Sequence, residues 1–170
     1  MAETFAGYNG SVAFAATKNM AALLNGHETE LLKIREIVLS NAQTAAVTGV
    51  VCLMELRGYT SAGLSSSAAG TLMSFDSTNT APTTYTLGNG GTISGTPVSW
   101  WSWVWSSDEP AVAAAGSDEL ECFTPLNIVY AWIPHSDIQP WTLRQNEMAM
   151  VYNTSGGAGR LHSRIVFTKE

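Results

Sequence analysis

The amino-acid sequence predicts an all-β protein, an antiparallel β-sandwich or jelly roll of about eight short strands. Short runs rich in Val, Ile, Thr and aromatic residues, about eight or nine of them, are separated by clusters of Gly, Pro, Asn and Ser. No run has the length and 3.6-residue periodicity that demand a long helix. The last run alternates strictly, with Leu161, Ser163, Ile165 and Phe167 on one face and His162, Arg164, Val166 and Thr168 on the other. Such a strand has one face to bury.

Residues 1–29 are expected to be an N-terminal arm or first strand, and residues 30–170 the β-sandwich domain. From Tyr8 to Thr17, Val12, Phe14 and Ala16 alternate with Ser11, Ala13 and Ala15, which suits a strand or an extended arm. Met20 to Leu24 fits a helical turn or a short strand, ended by Asn25-Gly26-His27. In Leu31 to Ser40, Leu31, Ile34 and Val38 share a helical face, but short length and Ile and Val content favour a strand. Gly49 to Arg57 is a cleaner strand, with Val51, Leu53, Glu55 and Arg57 opposite Val50, Cys52, Met54 and Leu56.

Ser61 to Gly70 is Ser-, Ala- and Gly-rich and reads as a polar loop. A short strand over Thr71 to Phe75 precedes a turn-rich loop from Asp76 to Pro82. Thr83 to Leu87 and Thr92 to Ser94 flank Gly88-Asn89-Gly90-Gly91, the pattern of a hairpin. Ser99 to Trp105 is a strand that sets Trp101, Trp103 and Trp105 on one face and Trp100, Ser102 and Val104 on the other. Ser106 to Gly116 is a loop, with room for one helical turn at Ala111 to Ala115. Pro125 to Trp132 is a strand with Leu126, Ile128, Tyr130 and Trp132 on one face, followed by a loop bracketed by Pro134 and Pro140. Glu147 to Asn153 and Leu161 to Thr168 are expected to pair as a closing hairpin through Thr154 to Gly159, whose glycines supply positive φ.

The 170 residues suit one domain with its own core. Charged residues are only 13% and hydrophobic ones 45%, which predicts surface buried against other subunits. A net charge of −6 with scattered basic residues argues against a nucleic-acid partner. Met1 to Phe5 lacks the basic and apolar regions of a secretory signal, so folding in the cytoplasm is expected. No apolar run approaches the roughly 20 residues that span a bilayer, so no membrane partner is expected. Cys52 and Cys122 sit in apolar settings and read as buried free thiols rather than a bridge.

Catalytic chemistry finds no constellation. Glu28 and Glu30, Asp108 and Glu109, and Asp118, Glu119 and Glu121 lack calcium-loop spacing and read as solvated acids. His27, His135 and His162 lack metal-ligand spacing. No serine lies in Gly-x-Ser-x-Gly, and Gly88-Asn89-Gly90-Gly91 precedes no helix that would cradle phosphate. The chain is expected not to be an enzyme and to need no catalytic residue, cofactor or metal. The tryptophans permit three readings: core filling, burial between subunits, or a stacking platform for sugars. Arg35 and Glu36, and Glu55 and Arg57, interrupt apolar runs; they either face outward or are paired where buried.

Lys33 to Asn41, the Gly49 to Arg57 strand, Thr71 to Asp76, and Leu143-Arg144-Gln145-Asn146-Glu147 leading to Ile165 to Glu170 resemble small β-sandwich virion proteins of tailed bacteriophages. The resemblance covers about Glu30 to the C-terminus. It implies a jelly-roll-like fold, a homotrimer, and a place on the outer capsid surface after assembly in the host cytoplasm. The implied role is capsid decoration, or cement, with the major capsid protein as partner. In this role Met1 to Thr17 is an arm along the shell. The alternative is a head-fibre or tail host-recognition module that binds glycans. The interface residues expected are Trp100, Trp101, Trp103, Trp105, Arg35, Arg57, Phe5 and Tyr8.

Overall fold

A computed structural model describes residues 3–42, 50–107, 128–157 and 159–170. Among them lie twelve strands and no helix: β1 (Glu3–Ala13), β2 (Lys18–Asn25), β3 (Leu32–Asn41), β4 (Val50–Ser65), β5 (Ala68–Ala69), β6 (Thr71–Ser74), β7 (Tyr85–Asn89), β8 (Thr92–Ser107), β9 (Ile128–Trp132), β10 (Trp141–Leu143), β11 (Met148–Asn153) and β12 (Arg160–Lys169). They form two antiparallel sheets. The first runs β10-β3-β12-β1-β6 with β9 also on β3, and the second runs β5-β7-β2-β11-β4-β8.

The predicted jelly roll is present in the strand order. Eight strands, in orders β1-β12-β3-β9 and β2-β11-β4-β8, alternate between the sheets as two Greek keys do. The other four, β5, β6, β7 and β10, extend the edges. Between the sheets lies the main core, with Phe5, Met20, Leu23, Ile34, Ile37, Leu39, Met54, Leu56, Leu143, Ile165 and Phe167 essentially removed from solvent. The alternation foreseen in the last strand holds, with Leu161, Ser163, Ile165 and Phe167 all buried.

Both predicted hairpins are corrected. β11 pairs with β2 and β4 in one sheet, while β12 pairs with β1 and β3 in the other. The glycine-rich connection is an arch between sheets. Positive φ at Gly156, Gly157 and Gly159 serves that arch. Likewise β7 pairs with β2 and β5, and β8 with β4. A run of apolar residues on both sides of β11, at Met148, Ala149, Met150 and Val151, needs a partner on each face, which a peripheral hairpin lacks.

The Ser61 to Gly70 loop is also corrected. β4 continues to Ser65 along β8, with Leu64 opposite Ile93 and Ser65 opposite Thr92, and β5 then pairs with β7 at the other edge of the sheet, with Ala68 opposite Asn89. The ribbon bends where Ser61 (φ 51°) and Gly95 (φ 109°) take positive φ, at a register shift between Thr60 and Gly63. Past the bend, Ala62, Leu64 and Ile93 pack with Ala22, Met148 and Met150 in a second core cluster on the far face of the second sheet.

The N-terminal segment is a strand and not an arm. β1 is hydrogen-bonded on one side to β12 and on the other to β6. Phe5 is 0% exposed and stacks on Phe167, so its predicted interface role is corrected to a core role. The loop expected at Ser106 to Gly116, the solvated acids Asp108, Glu109, Asp118, Glu119 and Glu121, and the state of Cys122 fall largely or wholly outside the described residues.

Phe5→Ala is expected to cost about 3–5 kcal/mol through lost burial and the cavity left behind. Chemical denaturation checks this. Deleting residues 1–13 is expected to abolish the cooperative transition; a folded truncation would restore the arm.

A candidate binding groove at the open edge of the sandwich

The site lies where β8, the free edge of its sheet among the described residues, faces β9 and β10 across the sandwich. Trp101 opposes Leu56 and Trp103 opposes Met54, both on the core side of β4. Between Leu56/Trp101 and Arg57/Ser99 the register shifts, and Trp100 is the extra residue. The bulge breaks the alternation foreseen for this strand. Trp100 therefore lies over Gly58, where a Cβ would stand 2.8 Å from its Nε1 and 3.2 Å from Cζ2 of Trp141.

The indoles fix one another. Trp100 stacks on Trp141 at 4.4 Å between centroids and 23° between planes, and Trp132 meets Trp141 edge-on at 6.2 Å and 82°. Trp103 stacks on Tyr130 at 4.0 Å, closing the core next to them. Trp141 is buried, whereas Trp100 keeps 53% of its surface in solvent. With one face on Trp141, its opposite face supplies that exposure.

Together with Val98, Ile138 and Pro140, Trp100, Trp132 and Trp141 line a groove of about 700 Å³. Its polar margin comes from Thr60, Gln139, Thr142, Arg144 and Glu147. The margin is held in place. Glu147 accepts the Arg144 N–H at 2.8 Å, and the Glu147 N–H donates to the Arg144 carbonyl at 3.0 Å. Fully buried Asn25 donates to the Leu143 carbonyl at 3.0 Å, and its own carbonyl accepts the Asn146 N–H at 2.7 Å.

The other predicted site residues lie elsewhere. Arg57 and Glu55 pair at 2.6 Å on one strand, and the Arg57 guanidinium sits 3.9 Å above the Tyr152 ring. The pairing within one sheet holds the Glu55 carboxyl below its ordinary value, chiefly through the Arg57 hydrogen bond. Arg35 is the extra residue where β3 slips against β12, so both Arg35 and Glu36 leave the core. Arg35 donates to Thr168 and pairs with Glu170 at 3.7 Å, and Arg164 pairs with Glu36. Tyr8 stacks on His162 and hydrogen-bonds its Nδ1 at 2.8 Å, and the Ser11 N–H donates to the same nitrogen. The Trp105 side chain lies outside the described residues.

Cys52 is a buried free thiol that donates to the Gly156 carbonyl at 2.6 Å, and burial pushes its pKa up. Near Asn25, Glu30 accepts the Tyr85 hydroxyl and faces Lys169 at 3.5 Å and His27 at 3.7 Å. The Tyr85 hydrogen bond is the largest cause that lowers the Glu30 pKa, with Lys169 and His27 adding to it against the cost of burial. No group of three or more His, Cys, Asp or Glu among the described residues is placed to hold a metal ion.

The sequence singled out Trp100 but missed Trp132 and Trp141 as its neighbours. Trp141 follows Pro140 in a segment read as loop, and only the β3 pairing makes it a strand. Comparison with protein-family models, with curated proteins and with solved structures gives no match.

Gly58→Ala is expected to push Trp100 off Trp141, red-shifting tryptophan emission and costing about 1–3 kcal/mol. Unchanged emission would show that the backbone absorbs the methyl group. Glu30 has a lowered folded pKa, so its contribution exists above the ordinary value of 4.5 and is lost as pH falls through the folded value. Glu30→Gln is therefore expected to flatten the acid limb of the stability profile, measured by urea midpoints across that range.

Proposed function

We propose that this chain is a non-enzymatic virion structural protein, a capsid decoration protein that binds between capsomers of a phage head as a homotrimer. The resemblance of Lys33 to Asn41, the Gly49 to Arg57 strand, Thr71 to Asp76, and Leu143 to Glu147 leading to Ile165 to Glu170 to such proteins motivates the reading. The jelly-roll strand order supports it, since viral coat domains use that architecture. One observation carries it furthest: β8, the free edge of its sheet among the described residues, presents Trp101 at 60% and Val104 at 61% exposure, beside exposed Leu53 on β4.

An edge strand of this length with apolar side chains pairs readily with other chains unless it is covered. Leu53 and Val104 are cross-strand partners, so they form one patch on the outer side of the sheet, while Trp101 projects from the same strand on the core side. A partner that seats against β8 covers both the side chains and the unpaired backbone groups. In the proposed role that partner is the major capsid protein or a second copy of the chain, on the outer surface of the head.

Trp101→Ala is expected to leave the folding free energy within about 0.5 kcal/mol, as exposed substitutions do. It should weaken association with capsid shells by about 30-fold or more, the loss typical of a tryptophan hot spot. Sedimentation of the protein alone and with shells measures both assembly and docking. A monomer that does not pellet with shells overturns the proposal.

A further inference from the structure

We infer that the groove walled by Trp100 and Trp141 is a binding site for neutral oligosaccharides, separate from the Trp101 and Val104 strip. Pyranose rings carry an apolar face of C–H groups and a rim of hydroxyls. They suit a surface that offers one open aromatic face beside both donors and acceptors.

The groove offers that combination. The outer face of Trp100 is the platform, held flat from behind by Trp141, which Trp132 in turn meets edge-on. Thr60 and Gln139 each supply a donor and an acceptor, Arg144 supplies donors and Glu147 supplies acceptors at the margin. A volume of about 700 Å³ lies within the range of small-ligand sites and exceeds what one stacked ring needs.

Both sides are fixed before any ligand arrives. Gly58 admits the Trp100 ring against the backbone, and the Arg144 to Glu147 turn is tied to buried Asn25. Binding to a preorganised site forfeits little side-chain freedom. The charge at the margin is one Arg and one Glu, which favours a neutral sugar over a phosphorylated or strongly acidic ligand.

The test titrates the full chain with cello-, malto-, manno- and chito-hexaose, following tryptophan emission and calorimetric heat, with decaproline as the competing peptide probe. At least one hexasaccharide is expected to bind saturably and to blue-shift the emission. Trp100→Ala is expected to weaken that binding about tenfold or more, and Arg144→Ala to weaken it severalfold. Trp101→Ala should bind like the wild type, which separates this site from the docking strip. Circular dichroism checks that each variant is folded. Failure of all four sugars, binding of decaproline alone, or sugar binding that survives Trp100→Ala overturns the inference.

Discussion

The arch from Asn153 to Arg160 is the constraint on which the two sheets depend. It leaves β11, flanked by β2 and β4, and enters β12, flanked by β1 and β3, so it joins the middle of one sheet to the middle of the other. Its backbone cannot rely on ladder pairing and must find partners locally. Buried Asn153 accepts the N–H groups of Ser155 and Gly156 at 3.2 and 3.0 Å, and Cys52 donates to the Gly156 carbonyl. The Thr154 N–H reaches the Leu53 carbonyl at 2.9 Å, tying the arch to β4 as well. Elsewhere the sheets carry irregular features, among them the register shifts in the β3–β12 and β4–β8 ladders.

Those irregular features are bulges, and each resolves a conflict between period and chemistry. A strand that alternates strictly cannot turn two adjacent side chains to the same side. Arg35 and Glu36 both leave the core because Arg35 is an extra residue, and Trp100 and Trp101 both lie on the core side because Trp100 is. A bulge confines the change locally, where a slip of the whole strand would turn every buried residue outward. Ile34 and Ile37 remain buried on either side of the first, and Leu56 opposite the second. The same device thus places ion pairs on one sheet and an aromatic wall on the other.

Legibility in the sequence follows the range of the interactions involved. Arg160–Lys169 was readable because burial of one face imposes local alternation, and Leu32–Asn41 because its short length and Ile and Val content suit a strand. Pairing was not, because a Gly-rich link permits a hairpin or an arch equally, and the choice rests on which distant strands compete for the edge. β11 shows this: Val151 meets the main core and Met150 the second one, a two-sided demand visible only once the ribbon of β4 and β8 has folded back. Trp100 was legible as unusual, but its partners Trp132 and Trp141 come from the other sheet, some thirty to forty positions away in the chain as read from their numbers. No local period links such residues.

The origin of the groove in two sheets has a thermodynamic consequence. Trp100 and Gly58 belong to β8 and β4, while Trp132 and Trp141 belong to β9 and β10, so the wall exists only while the open edge of the sandwich is closed. A ligand that needs the assembled wall binds the folded protein and not the unfolded one. It stabilises the folded state by about 2.7 kcal/mol at a hundredfold excess over its dissociation constant.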